Sequence, residues 1–316
     1  METEIDHPPH RRPLIGLALG SGAARGWAHI GVIQALEELG IRPDVICGTS
    51  IGAVVGGAYV AGKLDTIEAW ARSLTRIGIF RYMDLGLNNG GLLGGRKLRR
   101  LLDENFQDLA VEDLPRPFAA ITTELSTGHE IWIRSGPLSE ALTASYALPG
   151  LFPPVRVANR WLIDGALVNP VPVSVCRAYG ARLVIAVNLN ADVFGKGNVS
   201  GETADLTDLS QLMSKARAAH RKSVDEEAVL LRKIFGHSSS DPSILNVMIG
   251  SLNILQDRLS RSRLAGDPPD VTVAPRLGHV GLLEFEKAAE AIEEGKAAVK
   301  RVRPYIADAL KGLTLP

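Results

Sequence analysis

Val45-Ile46-Cys47-Gly48-Thr49-Ser50-Ile51-Gly52-Ala53-Val54-Val55-Gly56-Gly57 reads as a short buried strand that passes through a sharp turn into a helix. β-Branched residues cluster before Gly48, and small residues follow it. Ser50 stands at the turn between Gly48 and Gly52, in the Gly-x-Ser-x-Gly spacing of a nucleophile elbow. There, small neighbours let a strained turn lift one hydroxyl above the edge of a sheet. Ser50 is therefore a candidate nucleophile. No charged residue falls between Asp44 and Lys63, which raises the question of a membrane span of about 20 apolar residues. The interrupting glycines and the strand-like start fit a fully buried parallel strand followed by a core helix better.

Upstream, Leu14 to Leu19 is an apolar run ending in Gly20-Ser21-Gly22-Ala23-Ala24-Arg25-Gly26. From Trp27 onward apolar residues recur at helical spacing (Ile30, Ile33, Leu36, Leu39), and Gly40 is a stop signal. Strand, glycine loop and helix are followed at once by a second strand (Asp44 to Gly48) and its helix. This β-α-β-α unit implies an α/β fold with parallel strands and a right-handed crossover. The loop fails as a dinucleotide fingerprint, because Arg25 stands where the third glycine belongs and Asp44 opens the second strand instead of closing it. No Gly-Lys-Ser/Thr follows it, so it is not a P-loop. What remains is a glycine-rich turn feeding a helix N-terminus, which offers free N–H groups and a positive dipole end to an anion. In acyl transfer that anion is the tetrahedral oxyanion. Adjacent parallel strands would place this loop and Ser50 on one cleft.

The chain of 316 residues can bury a large core, and 35 basic against 35 acidic residues argue against binding nucleic acid through phosphate neutralisation. The 2 cysteines, Cys47 and Cys176, lie in apolar segments and suggest buried free thiols. Residues 1–13 form a polar, His/Pro-rich tail without the apolar stretch of a secretory signal, so a cytoplasmic protein is expected.

Further along, Lys63 to Ile77 suggests a polar surface helix. Residues 81–95 suggest a glycine-hinged loop, either a lid with exposed leucines or an ordinary connection. Arg96 to Phe106 predicts a helix, Phe118 to Glu124 a strand with His129 to Arg134 as hairpin partner, and Pro137 to Leu148 another helix. Arg156 to Ile163 alternates like one edge or hairpin strand and ends in Asp164-Gly165-Ala166. Leu183 to Leu189 is the last strong buried strand. Residues 191–208 read as a mobile loop after a core over 14–190. Residues 209–316 read as a helical part packed on that core, with helices near 209–235, 243–263 and 282–311 and one strand, Asp270 to Ala274.

A serine hydroxyl needs a base within hydrogen-bond reach. Asp164 before Gly165 is ordinarily a turn former, yet it is also a candidate. Of the 7 histidines only His279 has a loop setting after the last strong strand. The chain order Ser50, Asp164, His279 matches an α/β-hydrolase triad, and both arrangements stay open on the residues alone.

Taken together, the motifs resemble the patatin-like phospholipase family, in particular its stand-alone bacterial members related to the catalytic domain of neuropathy target esterase. The family pattern Gly-x-Gly-x-x-Arg/Lys-Gly is matched by Gly20, Gly22, Arg25 and Gly26. The elbow is matched by Gly48, Ser50 and Gly52, and the Asp-Gly-Gly/Ala motif by Asp164, Gly165 and Ala166. Ala144 to Val155 and Asn169-Pro170-Val171-Pro172-Val173 look similar too. The resemblance implies a three-layer α/β/α sandwich with a mostly parallel central sheet and a helical C-terminal extension. It implies a serine hydrolase of lipid acyl esters (carboxylic ester hydrolase, phospholipase A, lysophospholipase or carboxylesterase type) with a Ser50–Asp164 dyad and no histidine. The oxyanion hole would lie in the loop of Gly20, Gly22, Ala23, Arg25 and Gly26. Arg25 would pin the loop, meet a phosphate, or remain a helix-surface charge. The expected partners are a lipid or acyl-ester substrate and transiently a membrane surface, with no nucleic acid. Neither metal nor cofactor is expected, and no EF-hand calcium loop occurs. Two rivals stay open: a partner- or membrane-surface-binding protein with low turnover, and an acyl-thioesterase using the same residues.

Overall fold

The computed structural model describes residues 14–75, 95–106, 108–192 and 244–314. Residues 81–94 of the lid or connection expected over 81–95, residues 193–208 of the mobile loop expected over 191–208, and the helix expected near 209–235 lie outside these residues. The described helices are α1 (Ala28–Glu38), α2 (Ile51–Val60), α3 (Leu64–Ser73), α4 (Arg96–Phe106), α5 (Leu138–Ser145), α6 (Val173–Ala178), α7 (Ile244–Gly266) and α8 (Ala288–Thr314). The strands are β1 (Leu14–Leu19), β2 (Val45–Thr49), β3 (Phe118–Glu124), β4 (Glu130–Ile133), β5 (Val155–Val157), β6 (Arg160–Asp164), β7 (Ala181–Val187) and β8 (Val271–Val273).

All the strands join one sheet in the order β5-β6-β3-β2-β1-β7-β8, with β4 paired to β3. β3, β2, β1, β7 and β8 run parallel, β4 and β6 each pair antiparallel with β3, and β5 pairs antiparallel with β6. Side chains alternate across the sheet because the strand period is two. Leu17, Leu19, Ile46, Phe118, Leu183 and Ile185 face one layer, built mainly from α1, α2, α3, α5 and α8. Ala18, Cys47, Ala119, Val184 and Ala186 face the other, where α6 contributes Val173, Val175 and Cys176. Both faces of the parallel strands are covered, which is why their sequences are continuously apolar. The result is the three-layer α/β/α sandwich with a helical C-terminus.

Several elements end as their residues dictate. Gly40 stops α1 with φ +75°, as a C-terminal glycine can without strain. α3 is amphipathic and shorter than the helix expected over 63–77: Leu64, Ile67 and Ala71 are buried and Leu74 is already extended. The single strand expected over 156–163 is corrected to a hairpin. Ala158 and Asn159 both adopt positive φ (46° and 66°), giving a two-residue turn that pairs Val157 with Arg160. Alternation continues through such a turn, so it does not disclose the reversal. β8 forms the far edge of the central sheet, and α8 packs along α1, so residues 271–314 complete both sheet and layer.

Candidate active site

The elbow is built by close approach. Gly48 pairs with Leu19 at the ends of β2 and β1, and α2 begins immediately above. A side chain on Gly48 would meet Ala53 Cα at 2.5 Å, and one on Gly52 would collide with the Leu19 carbonyl. Only glycine fits at these two positions. Between them Ser50 adopts φ 58°, ψ −124° as the N-cap of α2, a conformation that costs about 1–3 kcal/mol for a residue with a side chain. It also places the hydroxyl at the positive end of the helix dipole.

Asp164 ends β6, which lies antiparallel beside β3 with Asp164 opposite Thr122. That placement brings its carboxylate to the elbow: Ser50 Oγ donates to Asp164 Oδ2 at 2.6 Å. The other oxygen, Oδ1, accepts from Ala166 N–H at 2.8 Å. The backbone of Asp164 is held as well, its N–H donating to Ala147 O at 3.0 Å and its carbonyl accepting from Thr123 Oγ1 at 2.8 Å. Gly165 passes so close to the Ile121 carbonyl that a side chain there would collide with it. Asp164 is 1% exposed, and burial pushes its carboxyl up to about 7, against the opposing pull of its bonds from Ser50 and Ala166.

The glycine loop lies beside this pair at the end of β1. Gly20 N–H donates to Val187 O, Ser21 N–H to Pro170 O, Ala24 N–H to Leu282 O and Arg25 N–H to Gly22 O. The N–H groups of Gly22 and Ala23 have no partner among the described residues, and Ala23 sits at φ +48°. The loop thus holds its own backbone fast on both sides and leaves two adjacent donors free, which is what an anion site requires. Gly26 packs directly on Ile51, the residue after Ser50.

Arg25 is not a helix-surface charge. It is 3% exposed, its Nε donates to the Val280 carbonyl at 2.8 Å, and burial lowers its pKa to about 10. With Ala24 N–H it clasps the glycine loop to residues 280–282. His279, the alternative base, has its ring on Glu290 at the exposed surface, while Ser50 reaches Asp164 directly.

Sequence reading passed over other residues that shape the site. His29 lies fully buried on α1 with its ring Nε2 2.7 Å from the Gly20 carbonyl. Burial lowers its pKa to about 4, so the ring is neutral and Nε2–H is the donor. Thr49 Oγ1 donates to the Asn169 carbonyl at 2.8 Å, and Ser145 Oγ accepts from Ser50 N–H at 2.9 Å. Buried polar residues within apolar helices and strands were the available signal. Among the described residues no helix is long and apolar enough to cross a membrane.

Comparison with known proteins places the chain in a family. Residues 17–177 match the model of patatin-like phospholipases. An uncharacterized NTE family protein of Mycobacterium tuberculosis is 35% identical over 323 aligned residues, covering 90% of each chain. Patatin-like phospholipase domain-containing protein 6 of mouse is 33% identical over 184 residues, 56% of this chain and 14% of that one. A Caenorhabditis elegans patatin-like phospholipase domain-containing protein is 36% identical over a stretch of the same length and coverage. Its family match across half of the sequence, and a mycobacterial relative aligned over 90% of each chain, make this chain a member of the patatin-like phospholipase family, related to the NTE proteins.

Proposed function

We propose that the protein is a serine hydrolase of lipid acyl esters in which Ser50 is the nucleophile and Asp164 its general base. One observation carries the reading: the direct 2.6 Å hydrogen bond from Ser50 Oγ to a buried carboxylate, beside the N–H groups of Gly22 and Ala23, which have no partner among the described residues.

As Ser50 Oγ attacks the acyl carbonyl, its proton passes to Asp164 Oδ2. The carbonyl oxygen becomes an oxyanion that accepts from Gly22 and Ala23 N–H. Collapse breaks the ester bond, and Asp164 returns the proton to the departing alcohol. Water then attacks acyl-Ser50, losing its proton to Asp164, and the fatty acid leaves as the proton returns to Ser50 Oγ. An ordinary aspartate is a feeble base, but a carboxyl raised to about 7 is matched to proton transfer near neutral pH. Gly20 and Arg25 shape the loop without offering the oxyanion a free backbone donor, because their N–H groups are already bonded, and Gly26 shapes it by packing on Ile51.

Membership in the family supports a lipid substrate. An exposed apolar stripe on α7 (Val247, Ile254 and Leu255) supports transient contact with a lipid surface. The test is labelling with an alkyl fluorophosphonate followed by mass spectrometry of the modified peptide, with hydrolysis of a phospholipid and of a p-nitrophenyl ester measured in parallel. Label on Ser50, its loss in Ser50→Ala and Asp164→Asn, and its retention in His279→Ala are expected. An unlabelled wild type with no hydrolysis would defeat the reading.

A further inference from the structure

The strained elbow has to be held by something outside its own turn. Ser50 begins a helix at positive φ, so its buried N–H has neither a strand nor a helix partner, and an unmet buried donor is costly. The partner comes from the end of α5. Ser145 Oγ accepts from Ser50 N–H at 2.9 Å and donates its own proton to the Ile121 carbonyl at 2.6 Å. With that proton committed, the hydroxyl faces Ser50 as an acceptor. Ile121 adjoins Thr122, the residue of β3 that stands opposite Asp164. Two residues on, Ala147 O accepts from Asp164 N–H at 3.0 Å. The segment 145–147 therefore grips Ser50 by its backbone on one side and Asp164 by its backbone on the other, and Ser145 is completely buried.

We propose that Ser145 is a positioning residue for the reaction: through the chain Ser50 N–H, Ser145 Oγ and Ile121 C=O it fixes the elbow against β3 and so sets the distance and angle between Ser50 Oγ and the Asp164 carboxylate. The inference rests on the reading of Ser50 as nucleophile. Without the hydroxyl the elbow keeps its glycines and its helix, but Ser50 can relax from positive φ, carrying Oγ off the carboxylate. Substrate binding, which depends on surfaces elsewhere, is spared.

The experiment compares the full chain as wild type, Ser145→Ala and Ser145→Cys. It measures the second-order rate of fluorophosphonate labelling, the end-point stoichiometry of label, and kcat and KM for a p-nitrophenyl ester. Ser145→Ala is expected to reach wild-type stoichiometry at a rate lower by about 10-fold to 100-fold, the range that a displacement of about 1 Å produces. kcat should fall by the same factor while KM moves less than about twofold. Ser145→Cys keeps a weaker donor and acceptor of similar volume and should show the same split with a smaller loss. It also carries the test where the alanine variant does not fold. A wild-type labelling rate in the folded variants would overturn the inference. So would reduced stoichiometry with the remaining sites reacting at the wild-type rate, since that pattern reports stability alone. Failure of the wild type to label at Ser50 would instead strike the nucleophile assignment beneath it.

Discussion

Asp164 and His29 are both buried titratable groups, and burial moves them in opposite senses with opposite consequences for stability. Asp164 is raised from 3.8 to about 7, so the folded state binds its proton more tightly than the unfolded chain. Its favourable contribution is present below about pH 4 and is lost as pH rises toward 7, a swing of at most about 4 kcal/mol. His29 is lowered from 6.5 to about 4, so its contribution is present above pH 6.5 and is lost as pH falls toward 4. In the wild type the two partly cancel over the shared window. Asp164→Asn should therefore melt higher than wild type at pH 8, and the advantage should vanish by pH 4, as scanning calorimetry across pH would reveal. Its stability should also fall more steeply on acidification than that of the wild type. The same substitution is expected to lower kcat/KM by about 100-fold to 10,000-fold, the usual worth of a general base. For the wild type, kcat/KM should climb with pH to a plateau with a midpoint near 7, the pKa of free Asp164; a flat profile between pH 5 and 8 would contradict the assignment.

Among the elements, the close contacts decide which glycines the fold can spare. α1 and α8 touch through their backbones. A side chain on Gly31 would collide with the Ile292 carbonyl and one on Gly295 with the Ala28 carbonyl. Gly31→Ala and Gly295→Ala should each cost about 1–3 kcal/mol, as overpacking does, and lower Tm by several degrees. Label on Ser50 should still reach full stoichiometry in the fraction that remains folded. Gly52→Ala is a different case because the carbonyl in the way belongs to Leu19, at the end of β1. Relieving that clash has to shift the elbow or the glycine loop, so loss of labelling should exceed loss of stability. Wild-type labelling in Gly52→Ala would show that the approach is slack.

For the molecule as a whole, the C-terminal part is integral to the sandwich. β8 pairs with β7 through Ile185↔Val271 and Val187↔Val273, and Ala291, Ile292, Ala298 and Val299 of α8 are buried in the main core. A chain ending at Gly266 would bare the α1 side of that core and leave β7 as an open edge. It should lose near-UV circular dichroism and cooperative unfolding, and become rapidly cleaved by proteases. A truncated chain that melts cooperatively would mean that the fold stands without β8 and α8. The glycine loop would suffer as well, since Ala24 N–H and Arg25 Nε are bonded to Leu282 and Val280 in the segment that would be removed.

Much of this was legible in the letters, because it follows from short-range physics. The strands at Leu14–Leu19, Val45–Thr49 and Phe118–Glu124 announce themselves as short apolar runs, and the helix Arg96–Phe106 by the spacing of its apolar residues. Gly48 and Gly52 announce the elbow, because only a residue without Cβ survives where strand, turn and helix crowd together. The hairpin at Ala158-Asn159 was hidden, since alternation carries through a tight reversal. Hidden too were the burial of Arg25, the clamps of His29 and Ser145, and the place of β8 in the sheet. Each of these depends on which distant segments lie side by side, and periodicity encodes no such distances. Ser50 and Asp164 are 114 residues apart in the chain. They meet because β6 enters antiparallel beside β3 in one register, and the same packing that brings the carboxylate to the hydroxyl also strips its water and raises its pKa.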